Sequence, residues 1–216
     1  MKRIMTTLLL FVCLQSVNAY ADNSSRDITA VLEGLEKMMS GTKTISTDFI
    51  QEKSLAIFNQ KIILKGKVFI QKPSLLSWRV MSPMRYSMVM RGNTISQWDE
   101  DTNQVQQVRL AENPGFQVAI KQMQNWFYGT FKSMVDDYKI TLITEHPITL
   151  EFVPWENSVS RNFITRVTVF FQNDERYIRE VRIEEKNGDS TSLVFVNAQL
   201  NQLIPLSAWE VKADVR

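Results

Sequence analysis

The 216-residue sequence predicts a mainly β protein (α+β class) in which antiparallel strands fill most of the chain and short helices accompany them. Apolar and polar residues alternate with period two over long runs, which is typical of half-buried strands. Asn187-Gly188 separates two such runs and is a dipeptide strongly favoured in two-residue β-hairpins. Residues 28–39 and 116–135 instead space their apolar side chains three and four apart, as amphipathic helices do. No linker or repeat divides the sequence, so one domain is expected.

The stretch from Gly66 to Asp99 shows the strand pattern most clearly. Lys72-Pro73 ends one run, because proline cannot donate a ladder hydrogen bond, and Gly92 marks a turn. Between these breaks the polar residues Ser77 and Arg79 alternate with apolar ones. One face is therefore predicted to be apolar, and its residues are Val68, Ile70, Leu76, Trp78, Val80, Tyr86, Met88 and Met90. The other face is predicted to be the wet side of a half-buried sheet.

Strand-like runs continue to the end of the chain. The predicted strands are residues 45–58, 61–71, 76–81, 86–90, 95–98, 105–110, 139–144, 148–153, 163–172, 177–186, 190–198 and 207–212. In the run 177–186, Val181 and Ile183 alternate with charged residues, and Ile178 is assigned to the charged face. Each of these runs has the length of an ordinary strand.

The two helical stretches are candidates for a cover over the sheet. The first is predicted to be capped by Ser24-Ser25, to end at Ser40-Gly41 and to point Ile28, Val31 and Leu35 at the sheet. The second is predicted to break at Gly129-Thr130 into two short helices. From the pattern alone, a helix that completes the core and a helix that forms a lid are equally supported.

Residues 1–21 have the features of a secretory signal peptide: Lys2 and Arg3, then an apolar run too short to span a bilayer, then small residues at Ala19 and Ala21. Cleavage after Ala21 would leave residues 22–216 as a single domain; cleavage after Ala19 is the alternative. Removing Lys2 and Arg3 from the 25 basic residues leaves 23, equal to the 23 acidic residues. A neutral chain without a basic run argues against nucleic acid as a partner.

Catalytic chemistry lacks its usual parts in this sequence. Cys13 lies in the signal peptide, His146 is the one histidine, and neither a G-x-S-x-G elbow nor a phosphate-binding glycine loop is present. The acidic run 99–103 begins like a calcium loop, but Gln104 occupies the position that needs glycine and Leu110 the position that needs glutamate. We therefore predict a protein that is not an enzyme and needs neither metal nor cofactor.

The sequence resembles the LolA-type periplasmic carriers of outer-membrane lipoproteins. The resemblance rests on Phe49-x-Gln51, Gly66-x-Val68-x-Ile70-x-Lys72-Pro73, Trp78, Pro83, Gly92 and Trp98-Asp99, with Phe195-x-Asn197 and Asn201 near the C-terminus. It implies a half-open, strongly curved antiparallel β-barrel whose short helices form a lid over an apolar cavity. Two departures are that Lys72 stands where the family has arginine, and that Arg91 stands where it has an acidic residue.

The resemblance also implies a function. The protein would be a monomeric carrier in the periplasm of a Gram-negative bacterium, taking lipoprotein acyl chains from an inner-membrane ABC transporter to an outer-membrane receptor. The alternatives are a LolA-like paralogue with another lipid or acyl product as cargo, and a non-catalytic interaction protein that binds a partner on its open sheet. The expected cavity residues are Phe49, Val68, Ile70, Trp78, Val80, Met88, Met90 and Trp98, and the expected lid residues are Ile28, Val31, Leu32, Leu35 and Lys72. In the family the arginine at the position of Lys72 holds the lid shut at the mouth of the cavity, so the resemblance implies that Lys72 holds the lid there, less firmly than arginine would. The alternative is that Lys72 merely extends to solvent beside Pro73.

Overall fold

A single antiparallel sheet of eleven strands dominates the computed structural model, which describes residues 27–57, 60–109 and 114–212. The strands are β1 Thr44–Leu55, β2 Gln60–Gln71, β3 Leu75–Ser82, β4 Tyr86–Arg91, β5 Thr94–Asp99, β6 Val105–Arg109, β7 Tyr138–Glu145, β8 Ile148–Pro154, β9 Ile164–Phe171, β10 Ile178–Glu185 and β11 Ser190–Leu200. Their spatial order is β6-β5-β4-β3-β2-β1-β11-β10-β9-β8-β7. The first and last strands thus pair in the middle, and the sheet stays open between β6 and β7. The predicted half-open antiparallel barrel is confirmed.

The two faces of the sheet have different surroundings. Directly opposed residues of paired strands project to the same side, so the register carries one face across the whole sheet. Phe49 of β1 is opposite Gly66 of β2 and Phe195 of β11, and Val68 is opposite Trp78. We call the side that bears these residues the inner face. It carries the main hydrophobic core and is covered by the helices.

Two α-helices and a short 3₁₀ helix cover the inner face. They are α1 (Ile28–Ser40), α2 (Pro114–Tyr128) and the 3₁₀ helix Phe131–Met134. Asp27 caps α1, its Oδ1 accepting a hydrogen bond from the backbone N–H of Thr29 at 3.0 Å; the predicted caps, Ser24-Ser25, and the signal peptide lie outside the described residues. Gly129, at φ +71°, makes the predicted break after α2. Within the described ranges, neither helix is long and apolar enough to cross a membrane.

The outer face is not wet over β2–β4, because the C-terminal segment, residues 201–212, packs against it. The prediction of a strand at 207–212 is wrong: a 3₁₀ helix forms at Leu206–Trp209 instead. Its Ala208 and Trp209, together with Ile204, pack on Phe69 and Leu75.

Arginine side chains hold this segment by its backbone. Arg79 Nη2 donates to the carbonyls of Ser207 and Glu210, both at 2.7 Å, and Arg91 Nη2 donates to that of Trp209 at 2.7 Å. The Ser87 hydroxyl donates to the carbonyl of Val211. The buried outer-face residues Ser77 and Arg79 therefore lie under a polar, hydrogen-bonded cover that period-two alternation does not reveal.

In β10 the predicted facing of Ile178 is wrong. The pairing of β10 with β9 shifts between Ile178 and Glu180, so that a bulge changes the phase of the alternation. Ile178 is consequently buried on the same side as Val181 and Ile183. A bulge adds one residue to a strand, and the sequence pattern carries no mark of it here.

Among the glycines whose surroundings the structure describes, Gly66 has the least room. A Cβ built there would overlap the carbonyl oxygen of Arg79 and lie 2.8 Å from Phe49 Cε1. We expect Gly66→Ala to lower the free energy of unfolding by about 3 kcal/mol or more, at the upper end of overpacking costs. Chemical denaturation monitored by circular dichroism measures this.

The matched control is Gly34→Ala, since nothing lies within 4 Å of a Cβ at that helical position. Alanine has the higher helix propensity, so this change is expected to stabilise the protein by up to about 1 kcal/mol. Equal stability of the two variants would contradict the close approach of Arg79 and Phe49 to Gly66.

Candidate functional site

An apolar cavity of about 410 Å³ lies between α2 and the inner face of the sheet. The residues that line it are Gln51, Trp78, Met88, Ile120, Met123, Trp126, Phe127, Ile178, Val181, Ile183, Leu193 and Phe195. Among these described residues, Gln51 alone has an amide or a charged side chain; the rest are aliphatic, aromatic or thioether groups. A lining of this kind can bury hydrocarbon but can read few polar features.

Aromatic contacts fix two parts of the cavity wall. The rings of Phe49 and Trp78 are 4.3 Å apart between centroids, with Phe49 seated over Gly66. Phe127 of α2 meets Phe195 of β11 edge to face at 5.2 Å. The second contact joins the covering helix directly to β11, next to the central strand of the sheet.

The structure brings only part of the predicted cavity set to the cavity. Trp78 and Met88 line it. The remaining inner-face members are buried in the core around it without lining it: Phe49, Val68, Ile70, Val80 and Met90. The prediction found the correct face of β2, β3 and β4. It placed the whole cavity on these strands, whereas the cavity lies between β3 and β4 on one side and β10 and β11 on the other.

The prediction that Trp98 lines the cavity is wrong, because Trp98 lies on the outer face of the sheet. It is opposite Ser87 of β4, whereas Gln97 is opposite the inner-face residue Met88. Its indole N–H donates to Oδ1 of Asn103 at 3.2 Å. The β4–β5 turn fixes the register of β5 on β4 and therefore the face on which Trp98 lies. A register shift of one residue would move every side chain of β5 to the other face.

The sequence reasoning missed the C-terminal half of the lining. Val181, Ile183, Leu193 and Phe195 come from β10 and β11, and α2 supplies a further group that includes Trp126. Period-two alternation was visible in 190–198 and in the second half of 177–186. These residues line the cavity because β11 pairs with β1 and so brings β10 and β11 beside the N-terminal strands. A single sequence does not reveal this pairing.

Burial of the inner face differs between the two ends of the sheet. At the end where β1 begins and β11 finishes, which we call the latch end, Ile45, Ile70 and Leu76 are fully buried. At the end with the β1–β2 connection, which we call the hairpin end, several inner-face residues are only half-buried; they are Gln51, Leu64, Tyr86, Ile183 and Leu193. The cavity therefore opens towards the hairpin end.

Lys72 joins both covering helices to the latch end. Its Nζ donates to the carbonyl of Met39, in the last turn of α1, at 3.0 Å and to that of Tyr128, the last residue of α2, at 2.9 Å. Carbonyls in the last turn of a helix lack partners within the helix and carry its partial negative charge, so an ammonium group suits both. The expected position of Lys72 at the mouth is corrected: Lys72 lies at the closed latch end.

The predicted lid residues of α1 pack into the core. Val31, Leu32 and Leu35 are buried and Ile28 is partly buried, and the cavity lining consists of other residues. A second link ties α1 to the 3₁₀ helix after α2: Glu36 Oε1 accepts from the backbone N–H of Lys132 at 2.8 Å, and Glu33 Oε1 lies 2.6 Å from Lys132 Nζ. The two helices are thus connected both to each other and to the sheet.

The titratable groups that the structure describes lie outside the lining of the cavity. His146 is exposed in the β7–β8 hairpin. In residues 27–57, 60–109 and 114–212, no group of three or more histidine, cysteine, aspartate and glutamate side chains is arranged to hold a metal ion. The cavity itself is lined by groups that do not titrate.

Comparison with known proteins shows the family. Residues 40–211 match the family model described as outer membrane lipoprotein carrier protein LolA. The chain therefore belongs to the LolA family.

The relatives are distant. An outer-membrane lipoprotein carrier protein of Pseudomonas fluorescens is 23% identical, with 97% of this chain and 94% of that protein aligned. Another of the same description, from Coxiella burnetii, is 24% identical over 74% of this chain and 79% of that protein. An uncharacterised protein of Rickettsia prowazekii is 30% identical over 52% of this chain, and the alignment spans about half, 48%, of that protein.

Two solved structures are similar to this chain at still lower sequence identity. The complex of MucA and MucB from Pseudomonas aeruginosa matches with a TM-score of 0.51 at 9% identity, covering 83% of this chain and 59% of the matched one. A LolA superfamily protein from Nitrosomonas europaea gives a TM-score of 0.47 at 12% identity, covering 82% and 94%. The first of these similarities supports the fold and nothing finer.

The pKa of Lys72 is lowered from its ordinary 10.5 to about 8, chiefly by burial and in smaller part by the nearby charge of Lys43. The unfolded chain therefore binds more protons than the folded one between about pH 8 and 10.5. Stability rises with pH wherever the unfolded state binds more protons. We expect the free energy of unfolding to increase across this window through Lys72.

Urea unfolding at pH values from 7 to 10 tests this, with the difference between wild type and Lys72→Arg as the measured quantity. The guanidinium stays charged throughout, so the variant lacks the increase, while the titration of all other groups cancels. Parallel pH curves for the two proteins would contradict the desolvated position of the Lys72 ammonium.

Proposed function

We propose that this protein is a non-catalytic periplasmic carrier that shields the acyl chains of lipoproteins in the cavity beneath α2 and moves them from the inner to the outer membrane. The observation that carries the proposal is the cavity itself, with its apolar lining and single amide. Hiding each methylene from water is worth about 0.8 kcal/mol, so a cavity that holds a chain removes the main obstacle to aqueous transport. Membership of a carrier family supports the direction of transport.

The size of the cavity favours limited cargo in this closed state. About 410 Å³ lies near the lower end of the range of roughly 300–1,000 Å³ found for small-ligand pockets. A cargo with several acyl chains would need more space than this. Because α2 supplies one wall, movement of α2 away from the sheet is the direct way to enlarge the cavity.

One buried polar atom in the cavity wall favours a cargo that carries a carbonyl group over a cargo that is only hydrocarbon. Nε1 of Trp126, in the wall of the cavity, is buried and has no hydrogen-bond acceptor among the described residues. Leaving such a donor unpaired costs about 1–3 kcal/mol. The ester or amide carbonyl of an acylated cargo would supply the acceptor after a small rearrangement, and the amide of Gln51 offers a second polar contact.

The two departures from the family pattern do not indicate a different cargo. Arg91 uses its guanidinium to hold the carbonyl of Trp209 on the outer face, away from the cavity. Lys72 donates to the last turns of both helices, and these hydrogen bonds support a role for Lys72 in holding the lid. The proposed partners are therefore those of the family, an inner-membrane ABC transporter and an outer-membrane receptor. Mass spectrometry of lipids that co-purify from the periplasm distinguishes lipoproteins from another acyl product.

Placing a charge in the cavity should abolish binding of hydrocarbon. We expect Met88→Asp to eliminate binding of a fluorescently labelled fatty acid, and Ile183→Asp, at the half-buried rim, to raise its Kd about tenfold or more, since an unpaired carboxylate resists desolvation. Fluorescence titration measures both, and far-UV circular dichroism checks the fold. The rim variant keeps the test valid if Met88→Asp unfolds.

The matched control is Val105→Asp, which places the same charge on an exposed outer-face residue of β6 and should leave binding unchanged. The carrier proposal would be refuted by wild-type affinity in Ile183→Asp, or by an absence of fatty-acid and lipoprotein binding in the unmodified protein.

Lys72 variants test the lid. Arginine has more donors for the two helix carbonyls than lysine, so Lys72→Arg is expected to slow release of a bound acyl probe to acceptor vesicles. Lys72→Leu removes both hydrogen bonds and is expected to accelerate release. Stopped-flow fluorescence gives the rates. Rates equal to wild type in both variants would mean that Lys72 does not hold the lid.

A further inference from the structure

The C-terminal end of α2 is fixed at the latch end of the sheet. Lys72 donates to the carbonyl of Tyr128, the last residue of the helix, at 2.9 Å. Just beyond it, Phe131 is fully buried and its ring meets that of Phe171 edge to face, with 5.4 Å between the centroids. Gly129 lies between these two anchors at φ +71°, a backbone conformation open to glycine at little steric cost. Hinges are formed by a few residues at the end of an element, and Gly129 suits this role for α2.

A polar contact fastens α2 at a second point along its length. Gln122 lies about 9 Å before Tyr128 along the helix axis. Its Nε2 donates to Oγ of Ser160 at 3.0 Å and also to the hydroxyl of Tyr138. Gln122, Tyr138 and Ser160 are all buried. We call these three residues the clasp.

The acceptor side of the clasp belongs to the sheet and its connections. Tyr138 is the first residue of β7, and its ring meets that of Phe152 edge to face at 6.1 Å. Ser160 lies in the 3₁₀ helix Val159–Asn162 that follows β8, where its backbone N–H donates to the hydroxyl of Ser158 at 3.2 Å. Neighbouring strands are antiparallel throughout the sheet, so the start of β7 lies at the hairpin end, where the cavity opens. The clasp therefore joins the covering helix to the sheet on the side of the mouth.

The clasp borders a second cavity, separate from the apolar one. This cavity has a volume of about 270 Å³, and its lining includes polar groups of Gln117, Lys121, Gln122, Asn125, Asp137, Tyr138 and Ser160. A polar space of this size has room for several water molecules, each of which takes about 30 Å³ in the liquid. Water can therefore replace the hydrogen bonds of the clasp when α2 moves, and such an exchange makes a hydrogen bond inexpensive to break.

Both faces of α2 thus have a substitute partner when the helix leaves the sheet. An entering acyl chain would cover the apolar face, which includes Met123 and Phe127 in the cavity wall. Water would cover the polar groups of the clasp. Moving the fully buried ring of Phe131 would instead expose apolar surface to water, which is costly. Opening is therefore easiest when α2 moves at the clasp and stays in place at Gly129.

We propose that Gln122, Tyr138 and Ser160 gate the cavity: the clasp breaks, α2 turns about Gly129, and the mouth widens to admit or release a chain. The three are positioning residues, because they act through α2 and lie outside the lining of the apolar cavity. The inference rests on the proposed function for the nature of the cargo. The opening itself belongs to the empty protein and is measured without cargo.

Thiol labelling of the cargo-free protein tests the gate. Val181→Cys places a buried thiol in the cavity wall, and residues 22–216 contain no other cysteine. In this background Gln122→Leu is expected to speed up reaction with dithiobis(nitrobenzoic acid) about fivefold or more, because the closed state loses two hydrogen bonds. Tyr138→Phe removes one acceptor and keeps Ser160, so a smaller acceleration is expected. This second variant provides the test if Gln122→Leu does not fold.

Two matched controls separate gating from a loss of overall stability. Ile70→Cys places the thiol at the fully buried latch end, where labelling needs global unfolding, so Gln122→Leu should leave its rate nearly unchanged. Gln117→Leu makes the same chemical change at an exposed residue of α2 and should not accelerate labelling of Val181→Cys. Equal acceleration at both thiols, or none at Val181→Cys in either clasp variant, would overturn the proposal.

Binding of a fluorescently labelled fatty acid links the gate to the cargo. Because the clasp closes over an empty and a filled cavity alike, Gln122→Leu should raise the association and dissociation rates by the same factor and keep Kd within about twofold. A change in Kd without a change in both rates would overturn the gate. If the unmodified protein binds neither fatty acid nor lipoprotein while the thiol results hold, the carrier proposal fails and the gate stands.

Discussion

The pairing of β1 with β11 is the constraint on which the rest of this structure depends. It joins strands about 150 residues apart, from Ile45 opposite Leu200 to Ser54 opposite Ser190, and so unites two halves of the chain into one eleven-stranded sheet. The united sheet has a continuous apolar inner face, which must be covered because exposed apolar area of this size is costly in water. The cavity lies at the junction, with β3 and β4 on one side and β10 and β11 on the other.

The inner face is covered tightly at one end and loosely at the other. At the latch end, the core is fully buried and Lys72 binds the last turns of both helices, at the cost of desolvating its ammonium group. At the hairpin end, half-buried residues leave room beneath α2. This gradient suits a carrier, because a lid fixed at one end and loose at the other admits a chain without exposing the whole core.

The local sequence pattern predicted the strands and helices well. It did not predict which segments of the chain cover the faces of the strands. The eleven strands, both helices and the break at Gly129 follow from alternation, helical spacing and turn residues. Ser77 and Arg79 show the limit: they read as a wet face, yet the C-terminal segment buries them, and Arg79 holds that segment by two carbonyls. Trp98 and Ile178 were assigned to the wrong face for a second reason, since one turn and one bulge decide the parity of a strand.

The sequence by itself determined the fold class, the family motifs, the apolar face of β2 to β4 and the absence of the usual catalytic groups, because these depend on neighbouring residues along the chain. Only the tertiary structure decided that Trp78 and Met88 line the cavity while Val68 and Ile70 fill the core, and that Lys72 binds the helices at the closed end. Those outcomes depend on contacts between residues far apart in sequence, above all the register of β1 on β11. A single sequence contains the partners of such contacts but not their pairing.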